Sequence, residues 1–422
     1  MTAERLVLAF DGWTEGLPHY ARLVPALRAR GYRLMLIHLG SWGHDMDQPV
    51  EEERDGVLVR DIRYYGRRSF GAILRQERPA CLLFLSTRAF AHQAMIRHAR
   101  SLDIPTLHLF HGIYCAAPPM MEEVNFEVSP WNDLRLYAGK IYRNLRHILP
   151  RYLAALAETG RSRLDWIEFG RELRSRLTGG TGAALPSDVR TTAGCVYVKG
   201  DMAEMRQYHL ADDRIFAVGN PDFMQFGLQP ADLGSRLGRS GNGELVYIET
   251  GLLAYAIRFT SREDYIAHLD GLAAAIGRHG FRLAVKPHPA SVRSGLADAI
   301  GAAGYRVYNN ADFVDGLRAA SGAMTEPSSA GAVPAMLGLP LFLISCGKLA
   351  GRGHGRLFTR YPGSIPIETV DQLDSVSDAV GKPIDPAAHR AWLDEFAEPL
   401  PASDMPDRVA DILQGLDRRA IS

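Results

Sequence analysis

The sequence predicts an α/β protein built from two doubly wound parallel-sheet domains that face each other across a cleft. Three observations predict it. Short runs such as Leu6–Phe10, Cys81–Ser86 and Phe281–Lys286 are apolar on both faces, as parallel strands covered by helices on each side must be. These runs alternate with stretches of helical periodicity along most of the chain. The alternation stops after Val218-Gly-Asn-Pro-Asp222, passes through a Gly/Ser/Pro-rich segment ending at Asn242, and restarts at Leu245. The expected domains are therefore 1–222 and 243–400, with a helical tail over 401–422 that folds back on the first.

In the first domain the expected order is strand Leu6–Phe10, helix Pro18–Arg30 closed by Gly31, and strand Arg33–His38. A short strand Val57–Arg60, a helix around Gly71–Arg75, strand Cys81–Ser86, helix Ala89–Arg100 and strand Thr106–Phe110 follow. From about 120 to 185 a helical excursion replaces the alternation, before strand Gly194–Lys199 resumes it. In the second domain strands are expected at Leu245–Glu249, Phe281–Lys286, Arg306–Tyr308, Ala323–Thr325 and Pro340–Ile344. Helices are expected over Arg262–His279, Ser291–Ala302, Asp312–Ala320, Ser328–Leu337 and Asp404–Leu416.

Composition narrows the function classes. Forty-eight basic side chains balance 48 acidic ones, which removes any global pull toward nucleic acid. No run of about 18 uncharged apolar residues offers a membrane span. The N-terminal residues, too short and too acidic for a signal peptide, read as the lead into a first strand. Cys81, Cys115, Cys195 and Cys346 form no CxxC pair, which fits a reducing cytoplasm and no structural zinc. Neither GxGxxG after the first strand nor GxxxxGK[ST] is present, so no dinucleotide or P-loop signature supports a bound cofactor. Asp45-Met-Asp47 is a lone DxD, and His108 and His111 are badly spaced for chelation on a strand; no metal is expected.

The residues that carry chemistry lie where strands hand over to helices. Lys286-Pro-His288-Pro289 follows a strand directly, at the edge where open α/β sheets bind ligands. Two prolines stiffen a loop that aims a lysine and an imidazole at one place, a pairing suited to phosphate oxygens. Thr325-Glu326-Pro-Ser328-Ser329 repeats the context, with two hydroxyls expected at a helix start. Thr250 and Gly251 open the second domain and face the same cleft. In the first domain Phe110-His111-Gly112 and Asp11-Gly12 each follow a strand, Gly112 being expected to permit close approach beside His111. Either His111 or Asp11 can serve as a general base, with plain structural roles as the alternative. Arg135, Lys140, Arg143, Arg146, Arg151, Arg161, Arg163, Arg171, Arg174 and Arg176 make the excursion basic, either as a solvated face or as a surface for an anionic acceptor or membrane.

With these motifs the chain resembles glycosyltransferases of the GT-B type. More narrowly it is similar to two bacterial groups that use cytidine-activated donors: the sialyltransferase and polysialyltransferase group, and the CDP-glycerol glycerophosphotransferase group. His111-Gly112, Lys286-Pro-His288-Pro289 and Glu326-Pro-Ser328-Ser329 stand in the order both groups show. Glu326-Pro327 takes the place of an aspartate-tyrosine pair, and Phe10 precedes Asp11 in place of an acidic residue. The resemblance implies that His288, Ser328 and Ser329 contact donor phosphate and cytidine, with Lys286, Pro289, Glu326, Thr250 and Gly251 beside them. It gives the base role to His111, or to Asp11, and a leaving-group role to His288.

The expectation is thus an inverting, metal-independent glycosyltransferase that passes a sugar from a nucleotide-sugar, a CMP-sugar by preference, to a glycan or lipid-linked acceptor in bacterial surface polysaccharide synthesis. The expected location is the cytoplasm, with peripheral contact at the inner membrane face through residues 135–176. A sugar-nucleotide epimerase or hydrolase of the same fold, a CDP-glycerol-type phosphotransferase, and a non-catalytic nucleotide-sugar-binding scaffold are the alternatives.

Overall fold

The computed structural model describes residues 4–12, 16–42, 47–116, 139, 141–160, 163–177, 189–254, 258–326, 328–351 and 353–421. Asp45, Met46, Pro327, Arg135, Lys140 and Arg161, all singled out above, lie outside the described residues, as does the side chain of Arg176.

Two sheets form the frame. The first contains β1 (Arg5–Asp11), β2 (Tyr32–His38), β3 (Glu51–Arg54), β4 (Val57–Asp61), β5 (Cys81–Phe84), β6 (Thr106–Leu109), β7 (Ala193–Val196) and β8 (Ile215–Ala217), in the order β3-β4-β2-β1-β5-β6-β7-β8. Every pairing is parallel except β3 with β4. The second contains β9 (Glu244–Ile248), β10 (Arg282–Lys286), β11 (Arg306–Val307), β12 (Gly322–Thr325), β13 (Leu341–Ile344) and β14 (Ser364–Ile367), ordered β11-β10-β9-β12-β13-β14 and wholly parallel. The fold class is the expected α/β one. Each sheet reverses its winding once, between β1 and β5 in the first and between β9 and β12 in the second. In open sheets of this kind the crevice for ligands opens at the carboxyl ends beside that reversal.

Burial explains the apolar runs. All residues of β5, β7, β9, β12 and β13 are buried, as strands sandwiched between helix layers must be. The four cysteines are buried free thiols. The C-terminal helix Met405–Ile421 packs against the first domain: Asp417, almost fully buried, pairs with Arg5 and accepts from Tyr32 Oη at 2.7 Å, while Arg30 bridges Asp407 and Asp411 at 2.8 and 2.7 Å.

Several elements differ from expectation for local reasons. Pro18–Arg30 is two short helices, Leu17–Ala21 and Val24–Ala29, because Pro25 has no N–H for the bond that would join them. Ser291–Ala302 likewise divides into Pro289–Arg293 and Leu296–Ala302, around Gly295 with φ +74°. The antiparallel β3 was not expected, although Asp55-Gly56, both at positive φ, is a strong hairpin signal. The edge strand β14 and the helix Pro386–Phe396 were also unforeseen. In the excursion, a π-helical turn over Asn144–Ile148 leads into helix Leu149–Thr159, followed by helix Arg163–Leu177. Around this turn Ile148 is buried, but Ile141 and Leu145 are exposed.

Candidate functional site

Two cavities open at the carboxyl edges of the two sheets. The first, of about 210 Å³, is lined by Ile248 and Glu249 after β9, by Lys286–Pro289 after β10, and by Ser328–Ala330 after β12. Asn310 closes one side, and Asn220, Asp222, Phe223, Gln225 and Phe226 of the interdomain segment close the other. It therefore lies between the domains.

Lys286 is buried and sits 5.7 and 5.8 Å from the ring centres of Phe313 and Phe226, with Nζ donating to the Pro287 carbonyl at 3.0 Å. Burial pulls its proton affinity down, and the carboxylates of Glu249 and Asp312 oppose that pull. His288 caps the helix Pro289–Arg293: its Nδ1 accepts the Ala290 N–H at 3.1 Å. Burial lowers its proton affinity too, and Nδ1 as acceptor leaves the ring proton on Nε2. The cavity thus offers a buried cation, a ring N–H and two serine hydroxyls, a donor set for anionic oxygens.

Beneath this surface are two buried carboxylates. Glu249 lines the cavity, accepts the His288 N–H at 2.7 Å and also holds the Gly251 N–H. It fixes the backbone of the Lys286–His288 loop. Glu326 does not line the cavity. It is fully buried, accepting Tyr247 Oη at 2.5 Å, the Thr250 N–H at 3.0 Å and the Thr250 hydroxyl. Burial and the nearby Glu249 push its carboxyl up to about 7. Glu326 is a strut between β9 and β12, and Thr250 and Gly251 are the loop it holds; none of the three lines the cavity.

Ser328 occupies a cap position, but its hydroxyl makes no cap bond. A 3₁₀ turn Ser329–Gly331 and a six-residue helix Ala332–Leu337 follow, instead of one long helix. Gly331 is required by space: a Cβ there would lie 2.7 Å from Thr325 Oγ1 and 2.9 Å from the Phe358 ring.

The second cavity, of about 410 Å³, opens where β1 and β5 part. Asp11, Gly12, Gly16, His19, Leu85, Ser86, His92 and His111 line it, and the excursion contributes Arg143 and Ile148. Asp11 and His111 are thus brought together. Asp11 is buried, accepts the Gly12 N–H at 2.6 Å and Tyr20 Oη at 3.4 Å, and desolvation pushes its carboxyl up to about 6. Gly16 makes room for it, since a Cβ there would stand 2.5 Å from Asp11 Oδ2. Gly112, expected to permit close approach beside His111, has open space where a Cβ would be; Gly16 has that role.

His111 stands at the exposed rim, with Nδ1 3.4 Å from Tyr114 Oη and its ring 5.7 Å from that of His19. Partial desolvation lowers its proton affinity, while a Leu85 backbone contact and the charge of Asp222 raise it. Asp222 lines the first cavity and pairs with Arg22 at 3.3 Å, so its field reaches both cavities. His19 and His92, which sequence reasoning missed, are each pushed down to about 4 by burial. Nothing in their spacing marks them; only the sheet reversal brings them to this crevice. Glu249 was nearer to view, as the single charge closing an all-apolar strand.

No protein-family model matches the chain, and no curated protein matches it either. Among solved structures, the glycosyltransferase of kitacinnamycin is 13% identical with a TM-score of 0.47, over 99% of this chain and 100% of that one. The UDP-GlcNAc 2-epimerase of Methanocaldococcus jannaschii is 11% identical with a TM-score of 0.47, over 97% and 99%. The wall teichoic acid polymerase TagF is 12% identical with a TM-score of 0.46, over 100% and 90%.

Among the described residues, no group of three or more His, Cys, Asp or Glu side chains is placed to hold a metal ion, and no helix is long and apolar enough to cross a membrane. Six of the excursion's large apolar side chains are nonetheless exposed: Ile141, Tyr142, Leu145, Leu164, Trp166 and Ile167.

Proposed function

We propose that the chain is an inverting glycosyltransferase that uses a nucleotide-sugar, with the phosphate held in the Lys286–His288–Ser328–Ser329 cavity and the acceptor in the Asp11–His111 cavity. One observation carries this reading. Two crevices, one built for an anion and one holding a poised carboxylate, open at the winding reversals of the two sheets and share the field of Asp222.

In the step we propose, Asp11 takes the proton of the acceptor hydroxyl as its oxygen bonds to the anomeric carbon. A carboxyl near 6 is mostly ionised at neutral pH and still basic enough to serve. His111 flanks the acceptor at the rim. The bond from the anomeric carbon to the phosphate oxygen breaks, and its electron pair leaves with the nucleotide. Lys286 and the Nε2–H of His288 stabilise that growing charge. The donor is a CMP-sugar on the motif likeness of Lys286–Pro289 and Ser328-Ser329, and the acceptor is a glycan or a lipid-linked one. The exposed apolar side chains of the excursion, among Arg146, Arg163, Arg171 and Arg174, favour contact with an anionic membrane face.

A thermal-shift series with CMP, CDP, UDP and GDP, followed by product analysis with the matching sugar nucleotides, tests the proposal. Stabilisation by the cytidine nucleotides and sugar transfer abolished by His288→Ala are the expected results. Stabilisation by UDP or GDP alone would remove the cytidine preference. Release of an epimer or free sugar without any acceptor would replace transfer by epimerisation or hydrolysis.

A further inference from the structure

A third cavity, of about 520 Å³, lies at the opposite, amino-terminal edge of the first sheet. Its walls come from four places distant in sequence. Arg100 ends the helix Phe90–Ser101 and Asp103 follows it; Arg190, Thr191 and Thr192 lead into β7; Arg214 leads into β8; and Leu416, Arg419 and Ala420 belong to the C-terminal helix. Among the described residues, four arginines thus converge there with a single lining carboxylate, Asp103, in a protein whose overall charge is zero. Outside the lining, the Asp213 carboxylate lies 3.7 Å from Arg214 Nε.

The floor is rigid. The Thr106 N–H donates to Thr192 Oγ1 at 3.0 Å, the Thr192 N–H reaches both the Thr106 carbonyl (2.9 Å) and its hydroxyl (3.0 Å), and the Thr191 hydroxyl donates to the Ala193 carbonyl at 3.0 Å. These bonds use the floor's own donors and leave recognition to the guanidinium groups. Guanidinium forks match phosphate oxygens in pairs, and the volume lies within the range of small-molecule sites.

We infer that this cavity is a second anion site, which binds a ligand carrying at least two phosphate groups, away from both carboxyl-edge crevices. The inference does not rest on the proposed transfer reaction. Its ligand is either a soluble diphosphate or a phosphorylated lipid headgroup, the chemistry being shared.

Titration of the full-length protein with inorganic pyrophosphate by calorimetry, at ionic strength held constant with potassium chloride, tests it. The donor cavity also offers a cation, so two variants separate the sites. Arg190→Ala with Arg214→Ala is expected to remove one class of binding or weaken it at least tenfold, while Lys286→Met leaves that class unchanged. Arg190→Lys with Arg214→Lys keeps charge but not the fork, and is expected to fall between. Flotation with vesicles of phosphatidylcholine and phosphatidylinositol 4-phosphate (4:1), whose headgroup carries two phosphates, decides the source. Vesicle binding lowered by the alanine pair identifies a headgroup, and vesicle binding unaltered with pyrophosphate lost identifies a soluble ligand. If the folded alanine pair binds both probes like the parent protein, the site does not exist.

Discussion

Replacing Asp11 by asparagine is expected to stabilise the protein at neutral pH while removing its transfer activity. The carboxyl is nearly inaccessible, and desolvation raises it from 3.8 to about 6. Ionising it costs the folded state about 3 kcal/mol in full. A raised acid binds more protons folded than unfolded, so stability falls as pH rises. The loss is absent below pH 3.8, grows between about 4 and 6, and is complete above that. Asparagine does not ionise, and its geometry is otherwise conservative. Its carbonyl can keep the Gly12 N–H bond, now 2.6 Å, and its amide can donate to Tyr20 Oη.

The expected gain at pH 8 is therefore about 1–3 kcal/mol, the lower figure allowing for a weaker neutral bond to Gly12. For a domain of this size that is a rise in melting temperature on the order of 5 °C. At pH 4 the variant and the parent protein are expected to melt together. Thermal melts of both at pH 4, 6 and 8, with sugar-transfer rates at pH 6 and 8, make the assay. In the parent protein the rate should climb as pH rises through about 6, as the base ionises. A stability gain equal at pH 4 and pH 8 would refute the burial argument. Near-parental transfer by the asparagine variant would refute the assignment of Asp11 as base.

Lys286→Met keeps the aliphatic stem between Phe226 and Phe313 and removes only the charge; kcat/KM for the donor should fall by about 10²–10³-fold with no loss of melting temperature. Glu326→Ala orphans the Thr250 N–H in a dry interior and leaves the Tyr247 hydroxyl only His268 Nε2, so the denaturation midpoint should drop by the equivalent of about 1–3 kcal/mol, with Glu326→Gln recovering much of it. Leu164→Ser with Trp166→Ser should reduce sedimentation with anionic vesicles several-fold, while transfer to a soluble acceptor stays unchanged, because both side chains are exposed and far from forming either cavity wall.

The sequence was most legible where physics is local. Strands apolar on both faces followed by Pro, Gly or Ser at a helix start located Asp11, His111, Lys286, His288, Ser328 and Ser329, all of which line the two crevices. Orientation was less legible. Glu326 follows β12 just as Lys286 ends β10, yet it turns inward, because Tyr247 of the neighbouring β9 and Thr250 just beyond it present donors there. Glycine roles were misread for the same reason. Gly112 has space around it, whereas Gly16 is pressed on by the Asp11 carboxylate, a contact set by three-dimensional packing. His19 and His92 carry no local mark at all, and become visible only when β1 and β5 part above them.

The pair of carboxylates under the first cavity raises a question of charge, because an anion is proposed to bind above them. Glu249 lines the same cavity, and its field would repel a phosphate if it acted alone. It does not. Its oxygens are held by the Gly251 and His288 N–H groups, and its charge offsets the desolvation that pulls the proton off Lys286. Without Glu249, a lysine this deeply buried would lose much of its reason to stay charged. With it, Lys286 has an opposing charge in the same cavity that favours its protonated form. The arriving phosphate then meets a cation already formed and aimed, which is the condition for stabilising a leaving group without reorganising the site. Glu326 has no such partner, and its carboxyl rises to about 7 beside Glu249. Glu249 thus supports the lysine, while Glu326, held by Tyr247 and Thr250, braces the sheet.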